Sequence, residues 1–292
     1  MKRFVWAAAL LAVMVAPAAA YTSYLKPAAY WPEGSDVEIE GSFASQFFTP
    51  QIAVPASVTG LNPDGSAIVF ENIAVQGALT TVEADLPRAG TYRISTGEQL
   101  GNVTTLVAVD GQWRPLAQGE TPPEGAETTT LQTVTLADVY VTRGQVSREV
   151  VDQPHGRLAI RPVTHPNQVL AAQGMQVQIL FDGAPMANSA VVLYAAGDAD
   201  TDLDTYVVTD ANGIARFTFD APGHYVIAAR HRAEMLARGE AQVGSYTTTL
   251  TFEALAALPE GYDVAEREAE AARQAERRAR VPARRRVGRP DY

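Results

Sequence analysis

The chain has 292 residues, no cysteine, a formal net charge of -10 and a pI near 4.9. Without cysteine it forms no disulfide, thiolate nucleophile or Cys-ligated metal site, and its acidity argues against nucleic acid as a partner. The charge is uneven: Met1-Lys2-Arg3 is basic and residues 259–292 carry nine Arg against seven acidic residues, so the negative excess sits in the body between.

The first twenty residues read as a leader. A basic start, the apolar run Phe4 to Ala16 and the small-residue signal Ala18-Ala19-Ala20 make residues 1–20 a cleavable secretory signal peptide. The run is shorter than the ~20 residues a membrane span needs, and no later segment is long and apolar enough to cross a bilayer. Lysine occurs only at Lys2 and Lys26, Arg being used elsewhere, as in GC-rich bacterial genomes. The expected compartment is the periplasm, with no transmembrane segment in the mature chain.

In chain order, Tyr21 to Trp31 predicts an opening edge strand, ended by Pro27 and Pro32. Asp36 to Phe43 alternates Val37, Ile39 and Phe43 with Glu38, Glu40 and Ser42, a strand with one wet face. Further strands are expected over 67–70, 77–84, 90–96 and 103–109, the last closed by Asp110-Gly111, giving a first β-sandwich over 21–115. Residues 116–130, with two prolines and no apolar periodicity, read as a linker. A second β-sandwich over 131–256 follows. It opens with Leu131 to Thr142 and Arg157 to Val163, then alternates in Val177, Ile179 and Phe181 against Gln176 and Gln178. Asp210-Ala211-Asn212-Gly213 marks a tight turn, and the Ala, Glu, Met, Leu and Arg of 230–243 suit a short inserted helix. The last strand sets Tyr246, Leu250 and Phe252 against Thr247, Thr249 and Thr251.

An internal echo links the two halves: Asp85-Leu-Pro-Arg-Ala-Gly-Thr-Tyr92 and Asp220-Ala-Pro-Gly-His-Tyr225. An acidic turn, a glycine and then a Tyr opening a strand is the corner of immunoglobulin-like sandwiches, where the phenol hydrogen-bonds back to the chain. The fold class expected is all-β, two tandem immunoglobulin-like or transthyretin-like β-sandwiches. The tail 257–292 is Ala, Glu and Arg with little to bury, helical or disordered. Its stretch Arg277 to Arg289 holds seven Arg and no acid, so it is either a solvated end or a contact for anionic lipid or an acidic protein.

Among the histidines, His224 and His231 lie seven apart on one strand, which sends them to opposite faces. His155 and His165 sit in loops flanking a strand and are candidate metal ligands. Pro166 holds His165 in extended geometry, and its other reading is a turn cap. Asp198, Asp200, Asp202 and Asp204 alternate like a calcium loop but lack the glycine and glutamate of an EF-hand. They read either as a weak cation site or as protection of a sheet edge. No GxSxG, HExxH or phosphate loop occurs and no paired carboxylates stand out, so no catalytic residue is assigned and the chain reads as non-enzymatic.

Tyr24-Leu25-Lys26-Pro27, Leu158 to Asn167, Leu180 to Pro185, Thr209 to Phe217 and Ser245 to Phe252 resemble the NikM-like family of exported bacterial proteins. That family is catalogued as a domain of unknown function and associated with nickel or cobalt uptake. The middle three segments are also similar to hairpins of carboxypeptidase-regulatory-like domains. The resemblance implies a non-enzymatic periplasmic binding or accessory protein for uptake of a metal ion, nickel, cobalt or an iron complex. A divalent metal is the candidate cofactor, and a metal-uptake transporter or outer-membrane receptor the candidate partner. Family members commonly begin the mature chain with Ala-His, whereas Ala20 is followed here by Tyr21, and a phenol is a poorer ligand than imidazole for a divalent metal at neutral pH. The alternative is a protein-interaction or structural β-sandwich module that binds no metal.

Overall fold

The computed structural model describes residues 21–117, 119–235 and 241–259. The expected signal peptide and nearly all of the Arg-rich tail lie outside the described residues. Among those residues there is no α-helix, and none long and apolar enough to cross a membrane.

The body, up to Ala256, is built of strands. In chain order they begin β1 (Thr22–Pro27), β2 (Asp36–Ala44), β3 (Ile52–Ala53), β4 (Thr59–Leu61), β5 (Asn72–Gln76), β6 (Leu79–Asp85) and β7 (Gly90–Ser95). The hairpin β8 (Gln99–Val109) and β9 (Gln112–Pro115) turns through Asp110 at φ 51° and Gly111 at φ 76°, the primed turn that Asp-Gly favours. After it come β10 (Thr128–Arg143), β11 (Leu158–Pro162), β12 (Met175–Phe181), β13 (Ala184–Pro185), β14 (Ala190–Ala195), β15 (Tyr206–Val208), β16 (Ile214–Phe217), β17 (Gly223–Glu234) and β18 (Val243–Ala254).

Among the described residues three sheets result. The first runs β1-β2-β6-β5, with β3 on β2; the third runs β11-β12-β13, with β16 on β12. Between them lies a nine-stranded sheet in the order β15-β14-β17-β18-β10-β7-β4, with the β8–β9 hairpin also paired to β10. The parity of the central strands decides which layer each residue meets. On β10, Ala137, Val139 and Val141 pack with Leu25, Val37, Ile39 and Val82 of the first sheet, while Val134 and Tyr140 pack with Ile160, Val177 and Ile179 of the third. On β17, Val226 and Ala228 join Tyr24 and Ala44, and Ile227 and Ala229 take the opposite face.

The sandwiches therefore share a sheet and are not closed separately. Strand β10 bonds antiparallel to β8 and then β7 along one edge, and parallel to β18, from Leu131–Val243 to Val139–Thr251, along the other. The expected linker is the connection from β9 to β10. Because both faces of the central sheet are covered, every residue from Leu136 to Thr142 is buried and no wet face remains there. Thr249 and Thr251 of β18 are buried for the same reason, and Thr249 Oγ1 donates to Ser23 O at 2.8 Å.

Two expected elements are corrected. Residues 67–70 form no strand: Ala67 makes one isolated bridge to Leu61, and Val69 is 88% exposed. A tight loop closed by Asn62 N–H to Ser66 O at 2.7 Å, with Gly65 at φ 81°, leaves that segment no partner strand. The helix expected over 230–243 is not seen where residues are described: Arg230 to Glu234 pairs with Thr247 to Val243 as β17–β18, so a waiting partner strand overrides helix propensity. Residues 236–240 lie outside the described set.

Both sheet corners form as the echo predicts. The Tyr92 hydroxyl donates to Arg88 O at 2.8 Å and accepts the Arg88 N–H at 2.9 Å, and the Tyr225 hydroxyl donates to Ala221 O at 2.8 Å. The Asp210 turn also forms, its carboxylate accepting the N–H of Asn212 and Ile214 with Gly213 at φ 74°. It carries the chain from β15 in the central sheet to β16 in the third, so it joins two layers and closes no hairpin.

Candidate binding cluster

The expected metal ligands do not converge. His165 is 4% exposed and uses both ring nitrogens: Nδ1 accepts the Asn167 N–H at 3.2 Å, which leaves Nε2 to donate toward Ser147 O at 3.2 Å and Thr91 Oγ1 at 3.0 Å. Burial lowers its pKa to about 4, so the ring is neutral. This is the turn-capping arrangement, and a metal there would have to displace a backbone partner. His155 lies elsewhere, half-buried, with Nδ1 3.1 Å from Oδ1 of the buried Asp138 and 3.2 Å from Ser95 Oγ. Serine and carboxylate meet the same ring nitrogen, so the trio is not a proton relay of the hydrolase kind.

The four aspartates do not converge, and Oδ1 of the buried Asp200 has no hydrogen-bond partner among the described residues. Asp198 accepts the Ala195 N–H at 2.7 Å, Asp202 accepts the Asp204 N–H at 3.0 Å, and Asp200, buried, accepts from Thr22 Oγ1 at 3.2 Å. Burial raises the pKa of Asp200. Among the described residues no three or more of His, Asp and Glu come together as a metal-sized group.

A different cluster stands out where the first sheet meets the central one. Alternation on β1 turns Tyr24 inward against Phe47, Tyr194, Val226 and Ala228. Beyond β1, Tyr30 is fixed by its carbonyl, which accepts the Thr142 N–H at 3.0 Å and Asn167 Nδ2 at 3.4 Å. From the central sheet comes His224, on the same face of β17 as Val226, with Glu253 of β18 directly opposite it. The Tyr30 and His224 rings stack with centroids 5.7 Å apart, Phe48 meets His224 at 6.1 Å and Tyr24 at 5.2 Å, and Lys26 Nζ stands 5.8 Å from the Phe48 centroid.

Three polar atoms in this cluster, Tyr24 Oη, Tyr30 Oη and His224 Nδ1, are buried with no hydrogen-bond partner among the described residues. Native interiors rarely leave such atoms unmet unless a water, ion or ligand supplies the bond. Burial, with Glu253 adding to it, drives the Tyr30 pKa up, and burial with Glu40 does the same for Tyr24. Burial lowers the pKa of His224, against the pull of Glu253. Both phenols and the imidazole are therefore neutral at pH 7, and a neutral imidazole keeps a lone pair on one ring nitrogen. Phe48 holds a left-handed φ of 65°, a costly conformation for a bulky residue, of the kind that persists where surroundings over-determine it.

Sequence reasoning passed over these residues. The parity rule separated His224 from His231, and they do face opposite layers: His231 meets Phe181 of the third sheet at 4.6 Å. No local signal joins Tyr24 and Tyr30 to His224, because only the stacking of two sheets brings them together.

A family model described as a domain of unknown function, DUF4198, matches residues 18–233. No curated protein matches the chain. Among solved structures, the D0-D1 domain of Intimin is 12% identical with a TM-score of 0.21, covering 79% of this chain and 96% of that one. The D00-D0 domain of Intimin is 13% identical with a TM-score of 0.18, covering 80% and 99%. Neither likeness bears on function.

Proposed function

The chain belongs to the DUF4198 family, and from that premise we propose that it is a non-enzymatic periplasmic binding or accessory protein in metal-ion uptake, its cation met at His224. The resemblance to NikM-like proteins supplies the metal-uptake class. The observation that carries the site is the buried His224 Nδ1, without a partner among the described residues although Glu253 is its cross-strand neighbour. A neutral imidazole nitrogen beside a carboxylate is the usual first pair of a transition-metal site. Equilibrium dialysis of the purified protein against nickel, cobalt, copper and iron tests the reading. Binding that is lost in His224→Ala and kept in His165→Ala supports it; failure to bind any of the four removes it.

A second reading, contact with a protein partner such as a transporter or outer-membrane receptor, is favoured by one surface. Strand β15 forms an edge of the central sheet, and Leu203, Tyr206 and Val208 there are each more than half exposed. Apolar side chains gathered on a sheet edge suit strand addition by a partner. Site-specific crosslinking from position 206 in cells, with and without added metal, tests it: a defined crosslinked partner in metal-free medium favours this reading over the first.

A further inference from the structure

We propose that Tyr30 is an oxygen ligand of the same site, and that His224 Nδ1, Tyr30 Oη and the Glu253 carboxylate together select a hard, highly charged cation, ferric iron, over nickel and cobalt. This rests on the metal-binding reading above and extends it to a third ligand and a metal.

Among the described residues no three of His, Asp and Glu gather in one place, so a site here needs a donor of another kind. Tyr30 is that donor by position: it is 3% exposed, its ring stacks on His224 at 5.7 Å, and its hydroxyl has no partner among the described residues. Glu253 lies directly opposite His224 across the β17–β18 pair, and Tyr30 stacks on the His224 ring, so His224 is the common neighbour of the other two groups. One nitrogen and two oxygens, with no thiolate available in a cysteine-free chain, form a hard donor set. A phenolate oxygen adds the donor best matched to a trivalent cation, because it brings a full negative charge on a small atom. The loop carrying Tyr30 is pinned through its carbonyl to Thr142 and Asn167, so the oxygen is held in advance of binding. Lys26, whose Nζ stands 5.8 Å from the Phe48 centroid, is the nearby cation that would meet the carboxylates of an iron chelate. On binding, Tyr30 gives its hydroxyl proton to solvent and its oxygen takes the position of one departing chelate oxygen.

The test is titration of the protein, purified as the cell processes it, with ferric citrate, nickel chloride and cobalt chloride. Bound metal is measured by dialysis and the visible phenolate-to-iron charge-transfer band by absorption. The expected result is iron bound with that band. Tyr30→Phe should lose the band and weaken iron binding by about tenfold or more, with thermal melting confirming that it folds. Glu253→Gln, at a partly buried position, should weaken iron binding and keep the band, and stands in if Tyr30→Phe does not fold. Iron bound without the band, the band surviving in Tyr30→Phe, or Glu253→Gln binding iron at full strength overturns the proposal. Nickel or cobalt bound through His224 with no iron binding overturns it and leaves the metal-uptake reading standing. No binding of any metal removes both.

Discussion

His224 and Glu253 face each other directly across the β17–β18 pair, yet the imidazole Nδ1 has no hydrogen-bond partner among the described residues. Opposed residues of complementary chemistry ordinarily join in an antiparallel pair. Here the imidazole instead stacks on Tyr30, which enters from the other layer. The first prediction follows: His224→Ala should cost only about 1 kcal/mol in urea unfolding, since it removes ring packing and no hydrogen bond at Nδ1, while metal affinity is lost. A large stability loss with unchanged metal affinity would make His224 a core residue and nothing more.

His165 behaves in the opposite way. Its folded pKa of about 4 lies below the ordinary 6.5, so between those values the unfolded chain takes a proton that the folded chain refuses. Stability from this group is complete above about pH 6.5 and falls as pH drops toward 4, by about 3 kcal/mol in all. His224 and His231, also lowered by burial, act in the same direction. Urea midpoints measured from pH 7.5 to 4 should fall in the wild type and flatten in His165→Gln. A midpoint independent of pH in the wild type would contradict the buried neutral ring.

The two corner tyrosines should differ in strength. Tyr92 is fully buried and serves both the N–H and the carbonyl of Arg88, so Tyr92→Phe leaves two backbone groups unmet and should cost about 2–3 kcal/mol. Tyr225 serves one carbonyl, with a hydrogen bond open to solvent, and Tyr225→Phe should cost about 1 kcal/mol or less. Chemical denaturation of both variants checks the order; equal losses would mean that the corners contribute alike.

Gly213 is irreplaceable on two grounds. At φ 74° a side chain is strained, and a Cβ would come within 2.6 Å of Ile179 O. Gly213→Ala should lose about 2–4 kcal/mol, the turn between layers being forced to shift. Gly183, with φ 79° and nothing within 4 Å of its would-be Cβ, is the control and should lose about 1 kcal/mol.

What the sequence reveals here is local chemistry. The Asp110-Gly111 turn, the Asp210 turn and both tyrosine corners were legible because each rests on a short run of residues with its own conformational demand. The shared sheet was not legible. Strand β10 reads as the opening of a second sandwich, and nothing in Leu131 to Val139 announces that its parallel partner is Val243 to Thr251. A row of threonines reads as a wet face, and Thr249 and Thr251 are instead roofed by the first sheet. The candidate site was illegible for the same reason. Loop histidines and alternating aspartates look like ligands when their hydrogen bonds are unseen, while an unmet phenol becomes visible only when the layers are stacked around it.

The central claim, that a cation sits between His224 and Tyr30, is tested most directly by anomalous diffraction from crystals of the protein soaked in ferric citrate. The account predicts an iron peak about 2.1 Å from His224 Nδ1, shared with Tyr30 Oη and the Glu253 carboxylate. A peak instead at His155, at His165 or along Asp198 to Asp204, or only water at Tyr30 Oη and His224 Nδ1, would contradict it.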